Sequence, residues 1–220
     1  MFKSLALPFL VSLAFISPVQ AGVTLIASGA LAGSSDLSGL SGTLENGVAA
    51  NILGGMGSGL AWAGGNTFLA LPDRGPNASS YSGGSAVDNT TSYIDRFQTV
   101  SLNLTQSNNA GVYSCALNAA LNQTTLLYSP GALNYGSTAG LPSAQPVQNM
   151  AERNYFTGRS DNFGAGNSLA VNNARFDPEG IRVANDGKSV FISDEYGPYV
   201  RQFDRSSGAL IKTFDLPANL

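Results

Sequence analysis

The sequence predicts an all-β protein, a β-propeller built from four-stranded antiparallel blades. Three observations carry that expectation. Short runs of Val, Ile, Phe, Leu and Tyr stand between Gly, Ser, Asn and Thr turn formers. Long helical periodicity is absent. One four-stranded unit recurs along the chain, which is the mark of propeller architectures.

The first element is a leader. Met1-Phe2-Lys3 is a short positive start, Leu5–Ile16 a 12-residue apolar run and Val19-Gln20-Ala21 a small-residue cleavage pattern. Residues 1–21 therefore predict a secretory signal peptide cut after Ala21. A membrane anchor is the rival reading, but the run falls well short of the ~20 apolar residues a spanning helix needs. No Cys stands at its end, so no lipoprotein anchor is expected. The mature chain would hold 199 residues, and losing Lys3 takes the net charge from −3 to −4. A secreted or periplasmic product follows, with no membrane contact after cleavage. The lone Cys115 is expected as a buried structural thiol, with intermolecular pairing as the alternative in an oxidising compartment.

Residues 22–220 then read as strands. Val23–Ala27, Thr67–Leu71, Gln98–Leu104, Ser189–Ser193, Val200–Phe203 and Leu210–Phe214 are each bounded by turn formers. Asn185-Asp186-Gly187 joins Ile181–Ala184 to Val190–Ser193, and Asp-Gly tolerates the positive φ of a tight hairpin. Arg205-Ser206-Ser207-Gly208 makes a second hairpin, so Ile181–Phe214 predicts a four-stranded meander. Pro72–Ser92 and Gly136–Asn173 read as long loops.

A weaker copy of the unit lies earlier. The run from Asn66 to Pro76 aligns without gaps on Lys188 to Pro198, which sets Asp73 on Glu195. Gly59-Leu60-Ala61-Trp62 aligns on Gly180-Ile181-Arg182-Val183, one residue different in the turn. Gly59 and Gly180 are 121 residues apart. At ~40 residues per blade that separation places the copies on opposite sides of a six-bladed ring. The mature chain holds only about four or five such blades. It also stops just after a blade's last strand, so a partial propeller is expected; a complete four-bladed ring or an open stack of sheets is the alternative.

Composition removes several functions. With no His there is no Ser-His-Asp or Cys-His catalysis and no His-ligated zinc. One Cys excludes an internal disulfide framework and a CxxC metal knuckle. A pI near 4.8 argues against nucleic acid as the main partner, since no basic stripe exists to neutralise phosphates. A hydrophobic content of 43% excludes wholesale disorder.

The few acidic residues are placed informatively. Asp177 and Glu179 open one strand, and Asp194 and Glu195 close the next, across a hairpin. Starts and ends of adjacent antiparallel strands lie at one end of a sheet. Asp73, Glu179, Asp194 and Glu195 are therefore candidate metal ligands, and such hard oxygens suit Ca2+ or Mg2+. The bland reading is that turns attract acidic residues and solvate them there. Arg74, Arg175, Arg153 and Arg159 are candidate anion clamps; Arg74 and Arg175 are equally read as partners of the neighbouring Asp. Tyr196 and Tyr199 either line a channel or pack between blades. Gly55-Met-Gly57-Ser-Gly59 mimics a phosphate-cradling loop, but no helix follows, so it reads as a flexible approach to a strand. The Asn-x-Ser/Thr triplets at Asn77, Asn89, Asn103 and Asn122 matter only in a glycosylating host.

Two stretches carry a resemblance. Arg175-Phe176-Asp177-Pro178-Glu179-Gly180-Ile181, Ile192-Ser193-Asp194-Glu195-Tyr196-Gly197-Pro198 and Leu71-Pro72-Asp73-Arg74-Gly75-Pro76-Asn77 resemble motifs of the phytase-like, or esterase-like, family of bacterial secreted proteins. The resemblance implies a propeller of about six blades and hydrolysis of phosphate or other esters. It also implies that Asp73, Glu179 and Glu195 face the channel. The chain is about half the length the family leads one to expect.

Hydrolysis without His would have to be metal-assisted. Calcium would polarise the substrate, Glu195 would act as base, Arg74 would stabilise charge, and Arg175 and Arg153 would bind a small-molecule ester or phosphate. The alternative is a non-catalytic secreted binding module, or an inactive fragment of one.

Overall fold

The computed structural model describes residues 23–77, 90–135, 149–150, 152–159 and 170–217. The expected leader lies outside them. No helix among the described residues is long and apolar enough to cross a membrane.

Strands β1 (Gly59–Trp62), β2 (Thr67–Leu71), β3 (Arg96–Asn109) and β4 (Val112–Leu126) form one antiparallel sheet in chain order. Strands β5 (Tyr128–Ser129), β6 (Asn149–Met150) and β7 (Arg153–Tyr155) make a small sheet with β7 central. Strands β8 (Pro178–Val183), β9 (Ser189–Asp194), β10 (Tyr199–Asp204) and β11 (Leu210–Asp215) make a second four-stranded antiparallel sheet. The fold is all-β, and the described residues form no closed ring.

Turn chemistry fixes the second sheet. Gly187 sits at φ 71° in the β8–β9 hairpin and Gly208 at φ 80° in the β10–β11 hairpin, conformations that favour glycine. Asp204 Oδ1 accepts the backbone N–H groups of Ser206 and Ser207 at 3.1 and 2.8 Å, tying the second turn. The repeat is visible in the pairing itself. Gly59 faces Leu71 and Trp62 faces Phe68 in one hairpin; Gly180 faces Ser193 and Val183 faces Val190 in the other. These are equivalent positions in the alignment.

The two copies do not stand opposite each other. β1 packs directly on β8, so closely that a Cβ on Gly59 would lie 3.1 Å from the Ile181 backbone N. Among the described residues, the intervening sequence does not build three blades. It completes the first sheet through β3 and β4, builds the small β5–β7 sheet and supplies connecting loops. Between the sheets lies one core of Ala61, Leu69, Leu71, Phe97, Leu127, Phe156, Phe176, Ile181, Val190, Ile192 and Phe203. Phe156, Phe176 and Phe203 meet with centroids 5.6–6.0 Å apart. Exclusion of this apolar surface from water is the main favourable contribution to folding.

Two further expectations are corrected. Val23–Ala27 forms no strand, because nothing pairs with it and its Val23, Leu25 and Ile26 face solvent. Cys115 is half-buried on β4 rather than fully buried. A lobe of residues 34–53 packs Leu44 and Ala50 against Tyr93. It is held by a buried Arg96–Asp36 ion pair and by Glu45 Oε2, which accepts the Ser92 N–H at 2.8 Å.

Candidate active site

The ends of β2 and β9 and the start of β8 converge where β1 meets β8. Asp73 follows β2, Glu195 follows β9, and Asp177 and Glu179 flank the first residue of β8. The register slips between Pro178 and Gly180, so Glu179 sits in a bulge that turns its side chain out of the alternating pattern. Carboxylate oxygens of Asp73, Asp177 and Glu179 all lie within 4.8 Å of one another. With Arg74, Thr90, Glu195 and Tyr196 they line a cavity of about 370 Å³.

Four carboxylates there face one guanidinium. Arg74 Nη1 donates to Asp73 Oδ2 at 3.2 Å, and its Nε lies 3.8 Å from Asp177 Oδ2. Asp73 Oδ1 also accepts the Arg74 N–H at 2.6 Å. Two unit charges ~5 Å apart repel by roughly 3 kcal/mol at an effective dielectric of ~20, so one arginine cannot neutralise the group. The protonation states respond. Burial first, then the hydrogen bond and charge of Asp73, push Asp177 up to about 7. Desolvation, a hydrogen bond with Glu195 and the charge of Asp73 raise Glu179. Asp177 Oδ1 is buried and accepts no hydrogen bond. An orphaned buried carboxylate oxygen beside two others fits a hard divalent cation, which takes oxygen ligands.

The frame around these groups is tight. Gly158 lies against Arg74 so closely that a Cβ would stand 1.7 Å from the Arg74 carbonyl oxygen. The Gly158 carbonyl accepts hydrogen bonds from Thr90 Oγ1 at 2.6 Å and Tyr196 Oη at 3.1 Å.

The other expected residues are distributed differently. Asp194 stands behind the mouth rather than in it. Its Oδ1 accepts the N–H groups of Asp177 and Tyr196 at 3.1 and 3.0 Å, and its Oδ2 lies 3.6 Å from Arg201 Nη2. It thus braces the segment that presents Asp177 and Glu195. Arg175 is half-buried in a neighbouring crevice, 5.8 Å above the Tyr196 ring. Arg153 lies against the Tyr128 ring in a separate cavity near the β10–β11 turn. Arg159 is fully buried, and Tyr199 packs under Arg201.

Sequence reasoning did not single out Asp177 as a cluster member, although the Asp-Pro-Glu spacing pointed to it. It also missed Asp95. This carboxyl is fully buried, neither oxygen has a hydrogen-bond partner, and burial with the charges of Asp177 and Asp194 holds it well above the usual range.

Two packed antiparallel meanders with a carboxylate-lined mouth between their first strands define an all-β protein with an acidic candidate site. The chain belongs to the phytase-like family: the model described as esterase-like activity of phytase matches residues 51–220. An uncharacterized secreted protein of Arthroderma benhamiae is 30% identical over 175 residues, an alignment covering 72% of this chain and 28% of that protein. The chain thus spans less than a third of that relative's length. No solved structure matches it.

Proposed function

We propose that this chain carries the hydrolytic site of a secreted, phytase-like ester hydrolase that works with a divalent cation, calcium, and without histidine. The observation that carries the reading is the convergence of Asp73, Asp177 and Glu179 within 4.8 Å, with Glu195 and Arg74 on the same cavity. Asp73, Asp177 and Glu179 would hold the ion. An ion held there would supply Lewis-acid chemistry to the mouth.

The protein's own groups divide the remaining work. Glu195 is exposed at the mouth, hydrogen-bonded with Glu179, and would take a proton from water. Arg74, held by Asp73 and Asp177, presents a guanidinium where negative charge develops. Asp194 acts as a positioning residue through the backbone of Asp177 and Tyr196. Arg175 and Arg153 are set apart from this cavity, so they bind only parts of a substrate that extend beyond it. The two four-stranded sheets are proposed as blades of a propeller.

The test is hydrolysis of nitrophenyl esters and nitrophenyl phosphate in calcium and in excess chelator. Activity should vanish in chelator and in Glu195→Gln, with the melting temperature of the variant unchanged. Full activity in chelator would overturn the cation mechanism. An inert wild type that still binds calcium would favour a non-catalytic binding module.

A further inference from the structure

A second space opens on the other side of the same carboxylates. Asp73 and Glu179 line both the 370 Å³ mouth and a groove of about 810 Å³. The rest of that groove is Gly33, Ser34, Ile52, Leu53, the Gly54–Ser58 run, Gly75 and Pro76. Its walls are apolar side chains, glycine backbone and two serines, and no Lys or Arg lines it among the described residues. The size falls within the range of small-molecule sites.

The groove is built rather than incidental. Tyr93 Oη donates to the Ile52 carbonyl at 3.2 Å, Gln98 Nε2 to the Leu53 carbonyl at 3.3 Å, and the Leu53 N–H to Ser34 O at 2.8 Å. Gly54 and Gly75 adopt φ 78° and 90°, and both press on Tyr93: added Cβ atoms would lie 2.8 and 2.4 Å from it. Gly55 and Gly57 are different. Neither has positive φ, and a Cβ on either meets nothing within 4 Å. The glycine-rich run that resembles a phosphate cradle in sequence therefore forms a groove wall with room beside it.

We infer that this groove seats the uncharged, apolar acyl group of a carboxylic ester, whose carbonyl then reaches the carboxylate mouth. The inference rests on the hydrolytic reading of that mouth. The described wall of the groove offers a phosphate no Lys or Arg partner beyond the mouth, whereas a neutral acyl chain needs none and buries apolar surface there. The reaction is balanced as hydrolysis. Water oxygen bonds to the acyl carbon, the ester C–O bond breaks, the proton taken by Glu195 passes to the leaving alkoxide, and acid and alcohol depart.

The full chain in calcium would be given nitrophenyl acetate, butyrate, hexanoate, octanoate and nitrophenyl phosphate. Binding of the neutral apolar dye Nile red, with octanoate ester as competitor, gives a readout independent of turnover. Each added methylene should raise kcat/KM by up to about fourfold. Gly57→Leu and Gly55→Phe fill the groove from positions with free space. Each should cut the octanoate-to-acetate preference at least fivefold and weaken Nile red binding about tenfold. If no ester is hydrolysed but octanoate ester displaces the dye and both variants abolish that, the acyl groove stands and only the hydrolytic reading fails. Flat chain-length dependence, preference for the phosphate, or dye binding indifferent to both variants would overturn the inference.

Discussion

Arg201 is buried among Phe156, Phe176 and Tyr199, with its guanidinium carbon 4.8–5.6 Å from their ring centres. Its ion partner Asp194 is as deeply buried. Burial pushes both toward neutrality, Asp194 up to about 6 and Arg201 down, and their attraction opposes it. Removing one partner of such a pair leaves an uncompensated charge, so Arg201→Met should destabilise the chain by about 3 kcal/mol in urea unfolding. Arg201→Met with Asp194→Leu should recover part of that loss. At the mouth, Asp177→Asn removes the oxygen that has no partner within the protein and should weaken calcium binding at least tenfold in a calorimetric titration. Asp73, Glu179 and Glu195 were legible as a group because the repeat set them at one end of equivalent strands. Asp95 and Thr90 were not, since only the packing of segments distant in sequence brings them beside the mouth.

The second sheet was readable almost strand for strand because its turns are written locally, in Asp186-Gly187 and in the Asp204-to-Gly208 loop. β4 was not. Its Asn, Ala, Ser, Gln and Thr residues lack the apolar alternation of a half-buried strand, and β3 supplies the pairing that makes it extended. The converse case is Val23–Ala27, with strand-forming residues and no partner. Placing the two copies also failed, because spacing counts residues and cannot see that β3–β4 outgrows an ordinary hairpin. Gly208→Ala tests the turn logic. Gly208 combines positive φ with a Cβ position 2.0 Å from the Leu126 carbonyl, so the variant should lose about 2 kcal/mol or more. Gly187→Ala has positive φ but only a side-chain atom at 3.9 Å, and should lose less. Paired urea titrations would rank them.

At the scale of the molecule, raised carboxyl pKa values set the pH dependence. Asp177 near 7 and Asp194 near 6 exceed the ~3.9 of an unfolded Asp, and Asp95 and Glu179 are raised too. The folded state therefore binds more protons than the unfolded state between about pH 4 and 7. Without divalent cation, stability should be fully present at the low end of that window and fall as pH rises through about 7. Calcium should flatten the slope, since the ion takes the place of protons at the mouth; melting curves from pH 4 to 8 would check this. The most direct measurement is thermal melting of the full chain at pH 7 with calcium and with chelator, beside Asp73→Asn combined with Glu179→Gln. Calcium at 100 times its dissociation constant contributes about 2.7 kcal/mol by linkage. That should raise the wild-type melting temperature by roughly 5–10 °C and leave the double variant unmoved. A wild-type transition indifferent to calcium would contradict a cation site at the mouth.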